Sequence, residues 1–193
     1  MTFQPRVLAF SGSLRRGSFN QQLVRCAAES ARRAGAEVTV LELRELALPL
    51  YDGDDEAADG LPDGAKRLKQ LMAEHHAFLV ASPEYNSSIG GPLKNALDWA
   101  SRAAPGEKAH ASTAGKIGAL FAASPGPFGG VRGLLVVRAV LANNQMLLIP
   151  EQVTIPKANE AFGPDGQLLD EKHRASVDRV VARLLDVTRR LHG

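Results

Sequence analysis

The sequence predicts an α/β fold with one parallel five-stranded sheet and helices on both of its faces. Short apolar runs alternate with longer amphipathic segments five times along 193 residues, without repeats or low-complexity linkers. This alternation is typical of consecutive βαβ units, which build parallel sheets. Three loops rich in glycine and serine follow the first, third and fourth apolar runs. The length suits one domain with a full core, which we expect over residues 1–193.

The first half of the chain begins with a short apolar run, Val7–Phe10, which is typical of a buried strand. The helix that follows should end before Gly35, because glycine readily adopts the left-handed conformation that closes a helix. Leu93, Ala96 and Leu97 have the i, i+3, i+4 spacing of a buried helix face. We interpret Leu46–Gly60 as a loop. The predicted strands are Val7–Phe10, Glu37–Leu43 and Phe78–Ala81, and the predicted helices are Ser18–Ala34, Ala65–His75 and Pro92–Arg102.

The second half continues the alternation after a flexible connection over residues 103–114. Val153–Ile155 either extends the fifth strand or pairs at a sheet edge. The expected order of the five strands is 2-1-3-4-5, the flavodoxin-like order, in which strands one and three flank the switch point where ligands bind. The remaining predicted elements are strands at Lys116–Ala122 and Met146–Ile149 and helices at Gly130–Ala142 and Glu171–Leu191.

The loop Ser11–Asn20, after the first strand, has the composition of a phosphate-binding loop. It leads into a helix N-terminus, where free N–H groups and the helix dipole favour an anion, and Arg15 and Arg16 can bind phosphate oxygens. A simpler alternative is a turn with Ser18 as the N-cap and two solvated arginines. The loop lacks both the Gly-Lys-Ser/Thr ending of a P-loop and the Gly-x-Gly-x-x-Gly pattern, which disfavours triphosphates and dinucleotides.

The other two loops suit a flat ring. The loop Ser82–Gly91 can turn its backbone N–H and C=O groups toward a hydrogen-bonding ring edge. The loop Ser124–Arg132 permits close backbone approach, because its glycines have no Cβ. A phosphate at one strand end and a flat ring at the next indicate a bound flavin mononucleotide, FMN.

Composition disfavours several other classes of protein. The net charge of +2 gives no support for nucleic-acid binding, and no apolar run approaches the roughly 20 residues of a membrane-spanning helix. Met1–Arg6 lacks the features of a secretory signal peptide. The single cysteine suits a reducing compartment, so we expect a cytoplasmic protein. The five histidines do not have metal-ligand spacing, and we expect no bound metal.

Five motifs, in order, carry a resemblance to a known family. By these motifs the chain resembles the NADPH-dependent FMN reductases, and most of all the chromate and quinone reductases among them. The motifs are Gly12–Asn20, Leu48–Asp52, Pro83–Asn86, Leu93–Arg102, and Gly129-Gly130 followed by Arg132.

The resemblance implies which residues contact the cofactor. Nothing in it requires a catalytic side chain, because the chemistry takes place at flavin N5. The roles of Arg16 and Arg102 stay open between binding the nicotinamide nucleotide and simple solvent exposure. The residues implied for the FMN phosphate are Ser11, Ser13, Arg15, Ser18, Phe19 and Asn20; those for the isoalloxazine are Pro83, Glu84, Tyr85 and Asn86, with Ser124 and Gly126 on its other side.

The resemblance also implies a reaction and an assembly. NADPH, or NADH, gives a hydride to the flavin and leaves, and a quinone, chromate, azo compound or similar small acceptor then takes its place in a ping-pong scheme. A homodimer or homotetramer is expected, with the helix Leu93–Arg102 at an interface. The alternative is a flavodoxin-type electron carrier that does not oxidise NADPH itself. Such carriers often have a strongly acidic docking face, which a near-neutral chain does not favour.

Overall fold

A computed structural model describes residues 3–193, so the first two residues of the expected domain and of the segment Met1–Arg6 lie outside the described residues. The strands are β1 (Arg6–Ser11), β2 (Glu37–Glu42), β3 (Ala77–Ala81), β4 (Glu84–Tyr85), β5 (Ser88–Ile89), β6 (Ile117–Ala123) and β7 (Leu147–Ile155). The helices are α1 (Phe19–Arg33), α2 (Gly53–Asp59), α3 (Asp63–Glu74), α4 (Gly91–Ser101), α5 (Val131–Asn143), α6 (Ala158–Ala161) and α7 (Glu171–His192). None of these helices is long and apolar enough to span a lipid bilayer.

The main sheet has five parallel strands in the order β2-β1-β3-β6-β7. This confirms the predicted order 2-1-3-4-5 and the flavodoxin-like fold. The central strands β3 and β6 are buried along their whole length, as expected for parallel strands that are covered on both faces. Val153–Ile155 belongs to β7, which settles the choice between an extended fifth strand and a separate edge.

Helices cover both faces of the sheet, and each face has its own hydrophobic core. On one face α1 and α7 pack over the sheet. On the other face α3, α4 and α5 form the second core. Leu93, Ala96, Leu97 and Ala100 of α4 are all at most 1 % exposed. The apolar face of α4 therefore packs inside the core of this chain and cannot form the expected subunit interface. The oligomer remains a prediction, but this face no longer supports it.

The structure contains short elements inside predicted loops. Helix α2 occupies about half of Leu46–Gly60, which was predicted to be a loop. The second strand ends at Glu42, and a 3-10 helix at Leu43–Leu46 follows it. Asp52 caps α2, since its carboxylate accepts a hydrogen bond from the Asp54 backbone N–H at 2.8 Å. No residue of α2 is buried. Its sequence therefore carries no apolar periodicity, which is the signal that the prediction relied on.

Candidate functional site

A cleft of about 310 Å³ opens at the carboxyl ends of β1, β3 and β6, where the three predicted loops converge. Ser11, Asn86 and Gly126 do not line it, whereas Ala123 and Pro125, which the sequence did not single out, do. Two other clefts of similar volume, beside Cys26 and Lys69, contain none of the predicted residues. The predicted residues that line the cleft are Ser13, Arg15, Ser18, Phe19, Asn20, Pro83, Glu84, Tyr85 and Ser124.

The first loop is shaped by its own serines and by Gly12. The Ser11 hydroxyl accepts a hydrogen bond from the Ser13 N–H at 3.2 Å, and the Ser13 hydroxyl accepts one from the Arg15 N–H at 3.3 Å. Ser11 is completely buried, so it supports the loop from below. A Cβ on Gly12 would lie 2.6 Å from the Cβ of Leu93, so only glycine lets the loop approach α4 this closely.

The end of this loop leaves polar groups available to an anion. Ser18 is the N-cap residue of α1, as in the simpler alternative, but its hydroxyl makes no capping bond. The Arg15 guanidinium lies 5.1 Å from the centre of the Phe19 ring, and within residues 3–193 it forms no ion pair. An uncommitted hydroxyl and a free guanidinium beside a helix N-terminus fit a phosphate monoester.

Asn20 has a different environment from its neighbours in the loop. Its Nδ2 donates to the Ala123 carbonyl at 2.9 Å, and its Oδ1 accepts from the Ala123 N–H at 2.9 Å. Both bonds are buried, and they join the start of α1 to the end of β6. The structure thus shows a clamp between two walls of the cleft, while contact between Asn20 and a cofactor remains a prediction.

The second loop is a tight hairpin formed by β4 and β5. Its two turn residues, Asn86 and Ser87, have φ values of 51° and 62°, which is typical of a type I′ turn. Asparagine tolerates this left-handed region, whereas serine is unusual there. Tyr85 lies next to the turn and is 56 % exposed, so its ring is available at the mouth of the cleft. Strands of two residues are too short for periodicity to reveal, and Asn-Ser is not one of the dipeptides that signal a two-residue hairpin turn.

Glu84, on β4, connects the hairpin to the start of α5. One carboxylate oxygen pairs with the Arg132 guanidinium, at 3.0 Å from Nη2 and 3.1 Å from Nε. The other oxygen accepts the Gly133 backbone N–H at 2.9 Å. The Glu84 side chain is only 10 % exposed. The negative charge therefore lies against the first turn of a helix, where the helix dipole favours it.

The third loop forms the opposite wall of the cleft. The Ser124 hydroxyl accepts a hydrogen bond from the Gly126 N–H at 3.3 Å, which places Gly126 behind the lining. Gly129 has a φ of 61°, and a Cβ there would lie 2.9 Å from the Ile155 backbone, so this position requires glycine. Ser124 and Pro125 of this loop and Pro83 of the hairpin all line the cleft, so the part of the cleft between these two loops forms a slot.

Arg102 lies outside the cleft and is already paired. Its Nε donates to both carboxylate oxygens of Glu56, at 3.1 and 3.0 Å, and its guanidinium lies 5.5 Å from the Tyr51 ring centre. Burial would raise the pKa of Glu56, but hydrogen bonds from Tyr51 and Arg102 outweigh it and the pKa is lowered. The hydrogen bond to Glu56 raises the pKa of Arg102. Among the two arginines left open by the sequence, Arg102 thus has a structural role.

Comparison with protein families and curated proteins gives a consistent result. The model of the family "NADPH-dependent FMN reductase" matches residues 5–160. An NAD(P)H-dependent FMN reductase of Pseudomonas aeruginosa is 38 % identical over 191 residues, which cover 97 % of each chain. An NADPH:quinone oxidoreductase of Arabidopsis thaliana is 33 % identical over 193 residues, covering 97 % of this chain and 94 % of the relative.

Among solved structures, the chain is similar to FerB, a flavoenzyme NAD(P)H:(acceptor) oxidoreductase from Paracoccus denitrificans. The TM-score is 0.79 and the identity 28 %, over 97 % of this chain and 98 % of that one. The match covers nearly the whole chain, including all three loops that meet at the cleft.

Proposed function

The chain belongs to the NADPH-dependent FMN reductase family, and from this premise we propose that it is an NAD(P)H-dependent flavoenzyme that reduces quinones and similar small acceptors. The single observation that carries the proposal is the cleft in which the anion-ready first loop adjoins the slot between the hairpin and the third loop. A cofactor with one terminal phosphate and one planar ring matches both ends of that cleft.

The residues of the first loop would hold the phosphate. Arg15 offers a bidentate guanidinium, Ser18 offers its uncommitted hydroxyl, and the first turn of α1 offers its N–H groups. Of the two arginines in this loop only Arg15 lines the cleft, which suits the single phosphate of FMN better than a dinucleotide. Phe19 helps to place the guanidinium, since the two lie in cation–π contact.

The hairpin and the third loop would enclose the ring between them. Backbone groups around Pro83 and Glu84 can hydrogen-bond the ring edge, and Tyr85 stands at the mouth of the slot. When bound, FMN supplies the redox chemistry by accepting a hydride from the nicotinamide nucleotide and passing electrons to an acceptor. The protein's part is binding, orientation and access, and no side chain needs to act as a base.

We infer a ping-pong scheme in which both substrates use this one cleft in turn, and Tyr85, which lines the cleft, is 56 % exposed and leaves it open to solvent. The nicotinamide nucleotide must then leave before the acceptor enters. An open mouth also suits acceptors of different shapes, so chromate and azo compounds belong in the proposal beside quinones. Arg16 is exposed next to the cleft and is the better candidate of the two arginines for a nucleotide contact.

The same premise supports proposals about location and assembly. A single cysteine, buried and with its pKa raised by that burial, suits a reducing compartment, and we propose the cytoplasm. A homodimer or homotetramer is proposed as well, and light scattering at micromolar concentration tests it. A monomer would remove the assembly from the proposal without affecting the activity.

The activity is tested with purified protein saturated with FMN. Without air, NADPH should bleach the flavin absorbance and benzoquinone should restore it, and initial rates should give parallel double-reciprocal lines. Heat release followed by chromatography should identify FMN rather than FAD. If NADPH leaves the absorbance unchanged while a reduced protein partner bleaches it, the flavodoxin-type carrier is the correct function.

A further inference from the structure

The Glu84 carboxylate is the link between two walls of the cleft. Glu84 belongs to the hairpin, and both of its partners, Arg132 and Gly133, lie in the first turn of α5, immediately after the third loop. The distances of 3.0 Å to the guanidinium and 2.9 Å to the N–H are those of charge-assisted hydrogen bonds. The link therefore holds the hairpin against the helix that follows the third loop.

We propose that Glu84 is a positioning residue that sets the width of the slot for the flavin ring, and this rests on the proposed function. The resemblance implied that Glu84 contacts the ring, but both carboxylate oxygens are already bound on the side of the hairpin that faces α5. Glu84 acts on the ring through the placement of the Pro83–Tyr85 backbone.

The packing around the link shows that the hairpin is held at a defined distance. A Cβ on Gly133 would lie 3.1 Å from the Glu84 Cβ and 3.1 Å from the Ser88 carbonyl oxygen. A Cβ on Gly130 would lie 2.9 Å from the Ala122 Cβ. Two glycines therefore let the hairpin, β6 and α5 come together, and the carboxylate holds the hairpin in that close contact.

The test measures binding of FMN and of riboflavin to the apoprotein, because riboflavin has the ring but no phosphate. Glu84→Gln should raise both dissociation constants by the same factor, about tenfold, which corresponds to about 1.4 kcal/mol. Arg132→Gln should raise both in the same direction. The double variant should cost little more than Glu84→Gln alone, since the two residues act through one contact.

Two controls separate this role from a general loss of structure. Arg183→Gln removes an arginine of similar exposure, 46 % against 55 % for Arg132, from its ion pairs with Asp186 and Glu151, and should leave both constants unchanged. Gly133→Ala keeps every charge and pushes the hairpin away from α5. It should weaken riboflavin binding as Glu84→Gln does, with the far-ultraviolet circular dichroism of the apoprotein unchanged.

The outcomes are distinct. If Glu84→Gln weakens riboflavin binding while Arg132→Gln does not, Glu84 contacts the ring directly and the positioning role is overturned. Unchanged riboflavin affinity in Glu84→Gln overturns it as well, while normal FMN binding by the wild type leaves the proposed function standing. If the wild type binds neither flavin, both proposals fail. Should Glu84→Gln not fold, Arg132→Gln and Gly133→Ala give the same readout.

Discussion

The two ends of the main sheet differ in whether their polar side chains have hydrogen-bond partners within the protein. At the amino end the Lys116 ammonium donates to the carbonyls of Ala73 and His75, both at 2.7 Å, and Arg6 Nε donates to the Glu74 carbonyl at 2.7 Å. At the carboxyl end the Ser18 hydroxyl makes no capping bond and the Arg15 side chain has no carboxylate partner among residues 3–193.

This difference indicates which end of the sheet binds a ligand. The strands alone cannot indicate it, because the same strands reach both ends. The amino end uses its charged side chains to stabilise the fold. The carboxyl end leaves Ser18 and Arg15 without internal partners, and the exposed ring of Tyr85 lines the same cleft. Polar side chains without hydrogen-bond or ion-pair partners in the protein are expected where a protein binds a ligand.

The largest expected effect comes from Asn20, which lies at the carboxyl end but, like Glu84, has internal partners. Asn20→Ala leaves the buried N–H and carbonyl of Ala123 without partners, and we expect a loss of about 2–4 kcal/mol in the free energy of unfolding. Urea unfolding of the apoprotein measures it, with Arg15→Ala in the same loop as the control that should keep the stability of the wild type. Unchanged stability with lost FMN binding would show that Asn20 serves the ligand.

Arg15 lies at the same end of the sheet, and we expect it to contribute to ligand binding and not to the stability of the fold. Arg15→Ala should weaken FMN binding by about 1.5–3 kcal/mol, the contribution of a hydrogen bond to a charged group. The unfolding free energy of the apoprotein should not change, because Arg15 is exposed. Riboflavin, which lacks the phosphate, is the matched control ligand, and its affinity should stay the same. Equal losses for both flavins would contradict a phosphate contact.

Lys116 is the corresponding test at the amino end. Lys116→Met keeps the length of the side chain but removes two hydrogen bonds, and should reduce the free energy of unfolding by about 1–2 kcal/mol. The FMN dissociation constant should remain that of the wild type. A weakened flavin affinity in a normally folded variant would contradict the conclusion that the amino end serves the stability of the fold and not ligand binding.

The smallest effect is a pH dependence at the amino end. Burial, followed by the charges of Arg6, His192, Lys116 and His75, lowers the pKa of His76, whose Nδ1 accepts the Arg6 backbone N–H at 3.0 Å. The neutral ring is thus favoured in the folded state, so its stabilisation is present above the ordinary pKa of 6.5 and is lost as the pH falls.

Between pH 7 and 5 the wild type should therefore lose roughly a few tenths of a kcal/mol more stability than His76→Gln, since solvent screens this partly exposed group. Unfolding curves of both proteins at each pH measure the difference. Carboxyl groups with lowered pKa values, such as Glu56, lose their stabilisation equally in both proteins as the pH falls, so their contribution cancels in the difference between the two. An equal pH dependence of the two proteins would show that His76 does not contribute.

Most of the architecture was predictable because it follows from regularities of short range. The continuous apolar runs identified the central strands, and the rules for parallel connections leave few possible orders. The elements that were missed have no such regularity. Helix α2 buries no residue and is held by Tyr51 and Arg102 through Glu56, while β4 and β5 have two residues each.

The sequence by itself determined which loops meet at one end of the sheet and what chemistry they carry. Parallel strands place their carboxyl ends together, so residues far apart in the chain could be assigned to one cleft. Only the tertiary structure decided which polar groups are available there. Asn20 pairs with Ala123 across 103 residues, and Arg102 pairs with Glu56 across 46. Periodicity shows which face a side chain occupies, but its hydrogen-bond partner depends on how distant segments approach one another.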